Sequence, residues 1–232
     1  MIIHCVSLKR ATERRQRIRR EWIEERGFDV RFFDAFDRRR VGVEPLPFPY
    51  DDALTRARIG RSLSSGEIAC AISHALLVRQ ALETGQDDLV VLEDDASPLD
   101  GTTPDAVASM IAACRANFPR VSALLMHELD APQRSAETRS GIHRAAPASW
   151  GHPHHRSGYL GYRFVWLSRA ALIVLARDLP RLLLPADWFW QLRFAPTRCL
   201  AYPERPLARD AGTSSYIGAH ALRGGESTPF RA

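Results

Sequence analysis

Two hydrophobic periods alternate along this chain, and the places where one gives way to the other outline an α/β protein. Ile2-Ile3-His4-Cys5-Val6 is a β-branched opening that predicts a buried strand. A charged helix follows from about Thr12 to Arg26, with Glu13 in its first turn and Gly27 past its end. Val30 to Phe33 supplies a second strand, completing the β-α-β start of an open sheet. Residues 38–62, with Pro45, Pro47 and Pro49, carry no period and predict loop. Ser64-Ser65-Gly66-Glu67 is a capping box, after which Ile68, Ile72, Ala75, Leu76 and Leu82 keep one helical face apolar until Gly85.

Leu89-Val90-Val91-Leu92 is an unbroken apolar run, the mark of a strand covered on both faces, and it ends in Glu93-Asp94-Asp95. Thr103-Pro104-Asp105 starts a helix whose inner face is Val107, Met110, Ile111 and Cys114, and Val121 to Met126 is a further strand. From His127 to Ser157 the pattern dissolves into a polar, His-rich stretch. Tyr162 to Leu167 predicts a strand, Ser168 caps a helix that Pro180 ends, Asp187 opens a short helix, and Arg198 to Tyr202 forms a last strand. The tail from about residue 203 reads as irregular. The whole is a single α/β domain, 1–232, with a mostly parallel open sheet flanked by helices.

Composition changes this picture little. The 232 residues are 45% hydrophobic and 25% charged, ordinary for a globular chain. The net charge is +5, and Lys9 is the single lysine. Arginine's planar fork suits phosphate, although GC-rich codon usage is the better account of most of these arginines. The modest excess points to no nucleic acid and is compatible with a peripheral place at an anionic inner-membrane surface. Cys5, Cys70, Cys114 and Cys199 have no CxxC spacing, so neither a disulfide nor zinc is expected and a reducing compartment is. Phe164 to Ala176 is interrupted by Arg169 and too short to span a bilayer; with no signal-peptide pattern, a cytoplasmic protein is expected.

Chemistry concentrates where the fourth run ends. In an open α/β sheet, ligands sit beyond the carboxyl ends of the strands. Glu93, Asp94 and Asp95 crowd that position, and a divalent cation relieves such crowding. A turn or helix cap fits the triplet about as well, and receiver domains and phosphatases also place acidic pairs there. A receiver needs a late lysine, which is lacking. A phosphatase of the DxD type needs the pair after the first strand, where Ser7-Leu8-Lys9 stands. Arg10, Arg14 and Arg15 can offer charge to a phosphate, or simply form a solvated helix face.

Taken together, these blocks resemble glycosyltransferase family 25. The resemblance rests on Val6-Ser7-Leu8-Lys9-Arg10 with Arg14-Arg15, on Phe32-Phe33-Asp34-Ala35, on the run from Leu63 to His74, and on Val90 through Ala96. It covers most of residues 2–97, fades through the middle, and returns at Gly161-Tyr162 to Ala171 and at Pro185-Ala186-Asp187. It implies a GT-A-like fold, a UDP-sugar donor, Mn²⁺ or Mg²⁺, inversion at the anomeric carbon, and a glycan or glycolipid acceptor in cell-surface polysaccharide synthesis. Residues 2–97 become the nucleotide-sugar and metal half, and 98–232 the acceptor half. By position, Glu93, Asp94 and Asp95 fall in the metal region, Ser7, Arg10 and Arg14 on the nucleotide, and Glu67, Ser73 and His74 in the preceding block. Ser7 stands where many members have Asn, and Ala69 where Gly is usual.

An inverting transfer needs one general base. Asp187, followed by three aromatic residues, is the first candidate, with Glu128 and Asp130 behind it; an ordinary helix cap explains Asp187 nearly as well. His220 is a candidate fourth metal ligand from the tail. His152, His154 and His155 lack a carboxylate or Cys at ligand spacing and read as a loop. A catalytically degenerate nucleotide- or glycan-binding protein of the same fold is the alternative reading.

Overall fold

The computed structural model describes residues 1–129, 135–145, 163–182 and 199–212. Its centre is an eight-stranded sheet in the order β2-β1-β3-β8-β5-β9-β7-β6. The strands are β1 (Ile2–Ser7), β2 (Asp29–Asp34), β3 (Asp88–Glu93), β5 (Ala123–Leu125), β6 (Ser135–Arg139), β7 (Ile142–Ala145), β8 (Phe164–Ser168) and β9 (Leu200–Pro203). β1 pairs in parallel with β2 and β3, and β5 with β9; the other pairings are antiparallel. Following these pairings, six strands run one way and only β8 and β7 run against them, which is the mostly parallel α/β sheet expected from the sequence.

Both faces of the sheet are covered because its strands are apolar at successive positions. Val6, Leu89, Val91, Leu125, Val165 and Leu167 face one core, built with α3 (Ser65–Glu83) and α5 (Arg169–Asp178). Ile3, Cys5, Val90, Leu92, Leu124, Phe164 and Trp166 face the other, built with α1 (Thr12–Ile18), its continuation and α4 (Pro104–Asn117). Neighbouring residues of one strand therefore belong to opposite cores.

The predicted 12–26 helix forms, but Arg19–Glu24 is wound as π-helix. The backbone N–H of Glu25 donates to the Arg20 carbonyl, five residues back, at 3.0 Å. Ile18, just before this segment, and Trp22 within it both lie fully inside the second core. Trp22 stacks edge-on against Phe164 at 5.0 Å and its indole N–H donates to the Ala96 carbonyl at 3.3 Å.

Three expectations are corrected. The 38–62 stretch contains α2 (Asp52–Ile59), capped by Asp51 and closed by Gly60 at φ 78°, a left-handed position that glycine adopts without penalty. Its helix is short and mostly exposed, so no apolar stripe betrayed it. The 127–157 stretch contains the β6–β7 hairpin, turned at Ser140 and Gly141 with φ of 50° and 71°. The tail contains β10 (Ala208–Asp210), which pairs antiparallel with β4 (Ala96–Pro98) directly after the acidic triplet. A pairing between residues more than a hundred positions apart leaves no local period. The expected caps at Ser64, Thr103 and Ser168 all form. Among the described residues no helix is long and apolar enough to cross a membrane.

Trp22→Ala is expected to lower unfolding stability by about 3–5 kcal/mol, the range for emptying a buried aromatic site. Ile173→Ser, at a position 56% exposed, should stay within about 0.5 kcal/mol of the parent. Urea unfolding followed by circular dichroism reads both.

Candidate functional site

The carboxyl ends of β1, β2 and β3 lie side by side, in the register Ser7 with Asp34 and Val6 with Glu93. The chain thus delivers polar groups to one rim of the sheet after burying the strands that carry them. Because strand side chains alternate, the acidic triplet spreads to different partners. Leu92 points into the α1/α4 core, so Glu93 turns toward α3 and Asp94 toward α1.

Asp94 is buried and fully engaged. Its Oδ2 accepts from the Ser7 hydroxyl at 2.7 Å and its Oδ1 from Arg14 Nη1 at 2.6 Å, while Arg17 Nη2 donates to its carbonyl at 2.5 Å. Arg15 extends the same network, donating to the Ser7 carbonyl at 2.8 Å and to Asp34 at 2.6 Å while lying over the Phe32 ring. The cationic side of α1 therefore grips the ends of three strands.

Glu93 meets α3 instead, with its Oε1 3.2 Å from His74 Nε2. Asp95 is the least satisfied of the three. Its Oδ1 is shielded from solvent and has no hydrogen-bond partner among the described residues. Burial, and then the negative charges of Glu93 and Asp94, push its pKa up to about 7, with Arg163 opposing them. Arg163 enters from the start of β8 and donates to Asp210 of β10 at 2.7 Å, while the Ala211 N–H donates to the Asp95 carbonyl at 2.8 Å. The late strand β10 thereby closes over the triplet.

The other expected residues divide clearly. Ser7 and Arg14 join Asp94. Arg10 turns outward to Asp37 at 2.6 Å, and this contact with the Arg39 N–H and the Arg10 guanidinium holds the Asp37 carboxyl below its usual range. Glu67 is spent locally: it receives Arg61 through both oxygens, at 2.9 and 2.6 Å, and closes the capping box on Ser64. Ser73 accepts from the Phe36 N–H at 2.9 Å and so ties α3 to the end of β2. Glu128 lies past β5, beside a cavity of about 330 Å³ lined also by His127, Tyr202 and Glu204. Asp130, Asp187 and His220 lie outside the described residues.

A larger cavity of about 540 Å³ opens between β2 and the end of α3, lined by His4, Arg31, Phe33, Gln80 and Thr84. It touches the rim only at Asp34, and the charge network marks the site better than cavity size does. Sequence reasoning passed over Arg17, Arg163 and Asp210. Only Arg163 had a local signal, in its place just before an apolar strand.

In an open α/β sheet, ligands sit beyond the carboxyl ends of the strands, which is where these carboxylates and arginines gather. Residues 1–100, which build nearly all of this rim, match the family Glycosyltransferase family 25 (LPS biosynthesis protein). Two curated relatives, each a "Glycosyltransferase 25 family member", are 34% identical over 101 residues in Aedes aegypti and 31% identical over 101 residues in Anopheles gambiae. Each match covers 40% of this chain and 16% of the relative, so the chain spans only a small part of those longer proteins. Among solved structures, a glycosyltransferase involved in the glycosylation of the major capsid of PBCV-1 aligns over 92% of this chain and 93% of its own. Its TM-score is 0.45 and its identity 12%. UDP-glucose pyrophosphorylase aligns over 92% and 76%, with TM-score 0.45 and 11% identity.

The Arg14–Asp94 pair has side chains only 10% and 11% exposed. Arg14→Met should cost roughly 3 kcal/mol by stranding a buried carboxylate, and adding Asp94→Asn should restore most of it. Equal stability of single and double variants in urea unfolding would show that the pair does not hold the rim.

Proposed function

We propose that this chain is a glycosyltransferase that moves a hexose, galactose first among candidates, from a UDP-sugar to a glycan or glycolipid acceptor with inversion. The observation that carries this reading is that the family match falls on residues 1–100, the segment that builds the charged rim. In this reading residues 2–97 hold the donor and 98–232 the acceptor, and the enzyme is cytoplasmic, at most peripheral to the inner membrane, and serves cell-surface polysaccharide synthesis.

The rim suits a divalent cation at one point in particular. Asp95 holds a shielded, unpartnered carboxylate oxygen whose proton affinity is already raised by its surroundings. A cation offers that oxygen the charge it lacks, and oxygen ligands suit Mg²⁺ or Mn²⁺. Asp95, with Glu93 adjacent, would hold the ion; Asp94 would join them by giving up Arg14, and His220 is the candidate ligand from the tail. When bound, such a cation neutralises charge developing on the diphosphate as the glycosidic bond breaks.

The chain's own residues supply the rest. Arg14, Arg15 and Arg17 set positive charge at the strand ends, where the nucleotide's phosphates would lie, and the Arg10 guanidinium extends it outward. The acceptor hydroxyl attacks the anomeric carbon from the face opposite the leaving UDP, and a carboxylate takes its proton. Asp187 is assigned that role, with Glu128 and Asp130 as the other candidates.

One observation favours a second reading, a domain that holds a nucleotide or glycan without turnover: both Asp94 oxygens are already bound by Ser7 and Arg14. The two readings part in a single assay. UDP release across a donor panel with Mn²⁺ is expected for the parent, to be abolished in Asp95→Ala, and to fall in Asp187→Asn with donor affinity largely kept. UDP binding by calorimetry without turnover would select the second reading, and neither binding nor turnover would remove both.

A further inference from the structure

Cys70 and His74, which the transfer reaction leaves unused, meet Glu93 of the acidic triplet in one cluster. Cys70 and His74 lie one turn apart on α3, so their side chains share a face of the helix. Glu93 comes to that face from the end of β3. One ligand atom from each, the Cys70 sulfur, a His74 ring nitrogen and a Glu93 oxygen, lie within 4.8 Å of one another. Among the described residues no other three His, Cys, Asp or Glu side chains come together in this way.

We infer that these three residues form a binding site for a borderline transition-metal cation, Zn²⁺ first, on the α3 side of Glu93, the residue it shares with the proposed oxygen-ligand position at Asp95. The donor set decides the class of ion. A thiolate and an imidazole suit zinc and its neighbours, whereas Mg²⁺ prefers oxygen alone. Three protein ligands leave one tetrahedral position for water or another oxygen. Binding replaces the Cys70 S–H bond by an S–metal bond and releases that proton to solvent. The position is also prepared before an ion arrives. His74 is 1% exposed and its Nε2 lies 3.2 Å from Glu93, so ring and carboxylate already converge. Glu93 is 24% exposed and gives the ion its way in from solvent. The spacing of the cysteines along the chain pointed away from zinc because the third ligand comes from another element, nineteen residues beyond His74.

Cobalt(II) is the probe, added to the full chain without nucleotide so that the result is independent of donor binding. A thiolate-to-cobalt charge-transfer band is expected, together with visible tetrahedral d–d bands, and zinc should bleach both at one equivalent. Cys70→Ser should abolish the charge-transfer band, while Cys199→Ser, at the other partly exposed cysteine, should keep it. Glu93→Gln preserves bulk and should weaken cobalt binding by at least about tenfold, which keeps the test open should Cys70→Ser fail to fold. Absence of a charge-transfer band in the parent, a band that survives Cys70→Ser, or unchanged cobalt affinity in Glu93→Gln would each overturn the assignment.

Discussion

The burial of β3 on both faces is the constraint on which the rest of the rim depends. Leu89 and Val91 are locked into the α3/α5 core and Val90 and Leu92 into the α1/α4 core. A slip of one residue would exchange the two sets and turn every following side chain to the wrong face. With that register held, Glu93 has only α3 to meet and Asp94 only α1. The three acids are adjacent in the chain, yet each has its own surroundings: an imidazole, a pair of donors, and a shielded pocket.

Charge balance at the rim follows from the same arrangement. Carboxylates at the ends of strands inside a protein need partners, and α1 brings Arg14 to Asp94 and Arg15 to Asp34, while Arg17 binds the Asp94 backbone carbonyl. The π-wound segment that follows keeps Ile18 and Trp22 together in the core, so the helix cannot rotate its arginines away without exposing an indole. Asp95 is left outside this compensation, and its raised pKa is the physical trace of that. Of the three acids, Asp95 alone keeps a buried oxygen without a hydrogen-bond partner among the described residues.

The later part of the chain takes part in the rim that the first hundred residues build. β10 pairs with β4 and brings Asp210 to Arg163, which stands at the start of β8 next to the triplet. The first hundred residues and the later part of the chain are thus joined at the acidic strand end.

The sequence by itself determined the elements with strong local signals: the apolar run of β3, the capping box of α3, the Pro104 start of α4, and the acids that follow β3. Those signals are legible because propensity, capping and period act over a few neighbouring residues. Only the tertiary structure decided that the acids diverge, that Glu67 also receives Arg61, that Arg10 faces Asp37, and that Cys70, His74 and Glu93 meet. It also decided the β4–β10 pairing and the β6–β7 hairpin's place beside β9. These meetings are set by sheet register and by the packing of helices on its two faces, and no period along the sequence encodes them.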